Sequence, residues 1–91
     1  IASSELNIAQ NLNVYPNPTK GLFKVSFVVD KIDNFEISII DAFGQLIYVE
    51  NKFDFIGEYT KDIDISTWPR GIYMVQIKNK YSLVSKRIVL Q

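Results

Sequence analysis

Alternation with period two constrains this chain more than any other feature. Phe23, Val25, Phe27 and Val29 share one parity, with Lys24 and Ser26 on the other. Phe35, Ile37 and Ile39 interleave with Glu36 and Ser38 in the same way. Successive strand residues point to opposite faces, so each such segment has one apolar and one polar face. The pattern returns in residues 60–66 (Ile63 and Ile65 against Asp62 and Asp64) and in residues 72–78 (Tyr73, Val75, Ile77). It closes in residues 83–90, where Val84, Ile88 and Leu90 oppose Ser85 and Arg87. Segments 12–15 and 45–51 complete seven predicted strands, separated by turn signals and with no helical period of useful length. One-sided strands in that number predict an all-β chain, two antiparallel sheets packed face to face as a β-sandwich.

The connections carry the expected punctuation. "DKIDN" (30–34) turns the chain, and in "DAFG" (41–44) Gly44 suits the left-handed position of a short hairpin loop. Residues 52–59 read as a longer connection whose Phe53, Phe55 and Ile56 fold over an open end of the core. "TWPRG" (67–71) and "NKYS" (79–82) supply the last two corners. "YPNPTKG" (15–21) is the stiffest. Pro16 and Pro18 have no N–H for a ladder and push their predecessors toward extended geometry. Gly21 supplies a positive φ at the exit. Asn17 is expected to fold its side chain onto nearby backbone, and Pro18 excludes the glycosylation reading of Asn17-Pro18-Thr19. The stretch predicts a rigid corner between two sheets.

Ninety-one residues make one domain, near the low end of sizes that fold unaided. No cysteine is available for a disulfide or a thiolate metal site, and no histidine for general base catalysis. Most nucleophilic triads and transition-metal sites are thereby excluded, and no cofactor is expected. Asp62 and Asp64 share a strand face but lack calcium-loop spacing, and Asp30 and Asp33, in principle an acid–base pair, sit in a turn where Asp is favoured for local hydrogen bonding. Gly21, Gly44, Gly57 and Gly71 are isolated at turns, so there is no phosphate-binding loop.

Net charge is zero but unevenly placed. Residues 30–64 hold nine acids against Lys31, Lys52 and Lys61, whereas residues 65–91 hold Arg70, Lys78, Lys80, Lys86 and Arg87 and no acid. Acidic and basic strands lying side by side and partly neutralising each other is the plain expectation. Five scattered cations do not make a nucleic-acid stripe. No run of 18 apolar residues is present, so no transmembrane helix and no membrane insertion are expected. Residues 1–11, small and polar, read as a linker. The chain opens with Ile1 and its sole methionine is Met74, as expected of a piece of a longer protein.

Four motifs in order carry a resemblance. "YPNPTKG", "DAFG", "WPRGIYMVQI" (68–77) and "SKRIVLQ" (85–91) together resemble the type A C-terminal sorting domain of the type IX (Por) secretion system. The resemblance spans residues 11–91. "KNKYS" lacks a glycine often found at the final turn of that family, and Met74 replaces a bulkier aromatic or branched residue. The resemblance implies a seven-stranded immunoglobulin-like antiparallel β-sandwich over residues 12–91, joined through residues 1–11 to an upstream cargo in the same chain. It implies a non-enzymatic export signal carried through the periplasm to the cell surface or medium. Implied partners are the outer-membrane type IX translocon, its shuttle proteins and a sortase-like signal peptidase that cuts in or before residues 1–11. Candidate signal residues under this resemblance are Pro16, Asn17, Pro18, Gly21, Asp41, Gly44, Gly71, Tyr73, Lys86, Arg87, Ile88, Val89, Leu90 and Gln91. An exposed final strand adding to a partner's sheet is the expected mode. The rival expectation is a carbohydrate-binding or adhesive module built on Trp68, Phe53, Phe55 and Tyr59.

Overall fold

The structure, a computed structural model, describes residues 11–91. Residues 1–10, and with them nearly all of the expected linker, lie outside the described residues. Five strands follow in chain order: β1 (Asn13–Tyr15), β2 (Leu22–Ile40), β3 (Leu46–Asp64), β4 (Gly71–Lys78) and β5 (Leu83–Leu90). Every pairing between them is antiparallel, in the order β1-β2-β4-β5 with β3 also on β2.

The all-β, antiparallel expectation holds, but the described residues form five strands rather than seven. β2 joins the two segments expected at 22–29 and 35–40, and β3 joins those expected at 45–51 and 60–66. Neither "DKIDN" nor residues 52–59 leaves the ladder. They lie opposite each other, with Val29 on Gly57, Asp33 on Phe55 and Phe35 on Lys52, and register shifts absorb the unequal lengths. Gly57 (φ +107°) and Asp54 (φ +52°) take the left-handed conformations that this bulging requires. Asn34 Oδ1 accepts the Asp54 N–H at 2.8 Å, and the Asp33 carboxylate accepts the Asn79 side-chain amide at 3.0 Å. The turn-forming residues are used for bulges, not for chain reversals.

A straight strand of β2's length would span roughly 60 Å at about 3.3 Å per residue. The longest dimension of the described chain is 40 Å. The β2–β3 ribbon therefore bends at its bulged middle, and its halves take different neighbours: β1 lies on residues 24–26 of β2 and β4 on residues 36–40. Phe23, Val25 and Phe27 from one half of β2 and Phe35, Ile37 and Ile39 from the other share one buried cluster with Tyr73, Val75, Ile77, Ile88 and Leu90. Phe27, Phe35, Phe55 and Tyr59 stack edge-on or tilted within it, centroids 5.1 to 5.8 Å apart. Phe55 thus packs against the core, but Phe53 and Ile56 stay exposed. They sit in a strand that sends side chains to both faces, not in a loop free to fold over.

Candidate recognition site at the motif end

The "YPNPTKG" corner is tied to the far end of the chain. Its two prolines follow cis peptide bonds. The Asn17 side-chain amide donates to Arg87 O at 2.7 Å, and its Oδ1 accepts the Val89 N–H at 3.0 Å. Thr19 donates its backbone N–H to Val89 O at 2.8 Å and accepts the Gln91 N–H at 2.9 Å. These contacts lie on the edge of β5 away from β4. Asn17 thus imitates a strand residue with its side chain, and Thr19 supplies a real one in a parallel bridge to Leu90. The local partners expected for Asn17 are replaced by partners about seventy positions away.

Thr19 is the residue that sequence reasoning missed. It is buried, its hydroxyl donates to Leu22 O at 2.7 Å, and the same oxygen accepts the Gly21 N–H at 3.0 Å. Threonine at a variable motif position offers no signal of this. Gly21 then presses on residue 66: a Cβ there would lie 2.5 Å from the Ser66 Cβ and 2.8 Å from its Cα. Gly21 O accepts the Ile65 N–H at 2.8 Å, which joins the corner to the end of β3.

The final strand divides by chemistry. Ile88 and Leu90 are core residues, and Val89 and Gln91 have their backbone held by Asn17 and Thr19. Because Val89 N and O face away from β4, alternation turns the backbone groups of Leu83 and Ser85 to the same outer edge. Lys86 and Arg87 are exposed. Among the described residues the ion pairs are Lys24–Asp62 (3.2 Å), Lys52–Glu50 (3.8 Å) and Lys61–Glu50 (3.9 Å). All lie before residue 63, so among the described residues no close ion pair reaches Arg70, Lys78, Lys80, Lys86 or Arg87, although Lys78 stands opposite Glu36 in the β2–β4 ladder.

The two remaining motifs meet across a cleft of about 500 Å³, between the turn after β2 and the corner before β4. Asp41 Oδ1 accepts the N–H groups of Phe43 and Gln45, each at 2.9 Å, and Gly44 N–H closes the turn on Asp41 O at 3.0 Å. On the facing wall Trp68 lies 5.5 Å from the Tyr73 ring, and the Tyr73 hydroxyl donates to Pro69 O. Burial, then the nearby Asp41 carboxylate, pushes the Tyr73 phenol above its ordinary pKa. Gly71 and Ile72 pair with Leu90 and Val89. The four motif segments therefore gather at one end of the molecule, around the close of β5. The Trp68, Phe53, Phe55 and Tyr59 platform is not assembled: Phe55 and Tyr59 belong to the core stack, while Phe53 is exposed elsewhere. Among the described residues no group of three or more acids is placed to hold a metal ion.

This is an antiparallel β-module whose sequence motifs converge on its terminal strand. A model of the secretion system C-terminal sorting domain matches residues 13–91, and the chain belongs to that family. Its function is that of a C-terminal sorting signal for type IX secretion, which implies a cargo chain, the secretion machinery, and export to the cell surface or beyond. The family is not a family of enzymes. A search of curated proteins gives no match.

Proposed function

We propose that the domain is recognised in folded form, after passage through the periplasm, by the outer-membrane type IX translocon and its shuttle proteins. A sortase-like peptidase then cuts within or just before residues 1–11, which join the signal (residues 12–91) to its cargo. The observation that carries this reading is the convergence of the motif segments at one end. A signal read as a linear sequence has no need to bring residues 17, 41, 71 and 89 together. In this reading the halves of the bent β2–β3 ribbon lie in opposite layers of an immunoglobulin-like sandwich. Pro16, Asn17, Pro18, Gly21, Gly44 and Gly71 shape the end that is read. Contact falls on the outer edge of β5 over residues 83–86, unpaired among the described residues, and on the cations beside it. There an acidic partner strand gains main-chain bonds from the edge and charge complementarity from Lys86 and Arg87.

The test is a fluorescent reporter carrying the 91-residue chain at its C-terminus, in a host with type IX secretion. Deleting residues 86–91 would remove Ile88 and Leu90 from the core and so report on folding. Ser85→Pro, which removes an outward N–H, and the pair Lys86→Glu/Arg87→Glu leave the core intact. Reporter outside the cell for the parent chain, with folded variants retained in the periplasm, is expected. Periplasmic retention of the folded parent chain would overturn the reading.

A further inference from the structure

We propose that the cleft between the 41–45 turn and the 68–73 corner docks a partner polypeptide that presents an apolar side chain beside a carboxylate. This rests on the reading of the domain as a folded export signal and adds a second contact to it. The first argument is Phe43, which is 95% exposed. Its ring is held out by a turn whose backbone is pinned four times: Phe43 N–H and Gln45 N–H to Asp41 Oδ1, Gly44 N–H to Asp41 O, and Asp41 N–H to Gln45 O. A phenyl ring on a loose loop can tuck itself away; this one is presented.

The opposite wall is equally fixed. Trp68 is braced by Tyr73, and its backbone N–H donates to Ile65 O at 2.9 Å. Ile47 and Ile72 extend the apolar surface at 39% and 45% exposure. Walls set before binding lose little conformational freedom when occupied, and a volume of about 500 Å³ admits an aromatic or large aliphatic side chain with its flanking backbone.

Charge selects the neighbour of that side chain. Arg70 lines the cleft, is exposed and has no ion pair among the described residues. The other charged group in the lining, Asp41, has Oδ1 committed to the turn. Residues 65–91 contain no acid to answer Arg70. A guanidinium fork binds a carboxylate through two parallel bonds, so a carboxylate beside the apolar side chain finds its partner in Arg70.

The test uses the same reporter carrying the whole chain, with Phe43→Ser, Arg70→Gln and Arg70→Glu, each at an exposed position and each checked by thermal melting. Phe43→Ser and Arg70→Glu are expected to cut export by about tenfold, the size of a single anchor contact. Arg70→Gln should fall between them and the parent. Export equal to the parent in all three variants overturns the cleft proposal and leaves the sorting function standing. Loss in Phe43→Ser with both Arg70 variants normal overturns the acidic partner. Failure of the parent chain to be exported defeats the function itself. Concentration-dependent dimers of the purified chain that vanish in Phe43→Ser would assign the cleft to a second copy and overturn the proposal.

Discussion

Asn17 accepts the backbone N–H of Val89, 72 positions later in the chain, at 3.0 Å. With its donor bond to Arg87 O, the carboxamide closes two backbone groups on the outer edge of the last strand. An open edge is a template for pairing with another chain, and this one is closed at residues 87–91 by the motif that opens the domain.

Asn17→Ala leaves both backbone groups unanswered by protein. The expected loss is about 1–3 kcal/mol, seen as a lower denaturant midpoint with unchanged slope, and the Val89 amide exchanges faster with solvent. Asn17→Asp keeps the acceptor for Val89 but sets a carboxylate against Arg87 O, so it does not rescue.

Gly21→Ala and Gly57→Ala should separate cleanly in thermal melts. Both residues have positive φ, but only at Gly21 would the new methyl meet backbone, at Ser66. At Gly57 nothing lies within 4 Å. Gly57→Ala is expected to cost about 1–2 kcal/mol of conformational strain. Gly21→Ala adds a packing clash of about 1–3 kcal/mol and unseats Thr19.

Tyr59 and Tyr73 make stability fall on the alkaline side. Burial is the main cause that raises both phenols, followed by the Glu50 hydrogen bond for Tyr59 and the charge of Asp41 for Tyr73. A raised native pKa means the unfolded chain releases its phenolic proton first. The stability these phenols supply is complete below about pH 10, the ordinary tyrosine value, and declines as pH rises beyond it. Tyr59→Phe should flatten that decline in chemical denaturation between neutral pH and pH 11. At neutral pH it forfeits the 2.8 Å bond to Glu50, about 1–2 kcal/mol.

Ile88→Ala is expected to cost about 2–5 kcal/mol, because Ile88 is wholly buried among strands of the core. Lys86→Ala beside it should change stability by less than about 0.5 kcal/mol. Melting curves of the two variants separate the structural residues of the tail from those free to meet a partner.

Much of this was legible along the chain. Phe23, Val25, Phe27, Phe35, Ile37 and Ile39 were placed in the core by parity alone, and strands β4 and β5 begin and end within a residue of expectation. Two readings failed for one reason. Asp and Asn at 30–34 and Gly57 signal departures from regular strand geometry, but a bulge and a reversal use the same residues. Only the opposing segment decides which forms. Thr19, Phe43 and Arg70 were invisible because their roles depend on residues distant in sequence.

The sequence by itself determined the β-class, the inward faces of β2 and β4 and the family, since alternation and short motifs are written in consecutive residues. Tertiary structure alone decided that the ribbon bends, that Asn17 reaches β5, and that "DAFG" faces "WPRG" across a cleft. Those contacts join segments dozens of residues apart, and their geometry exists only once the shared core has drawn the strands together.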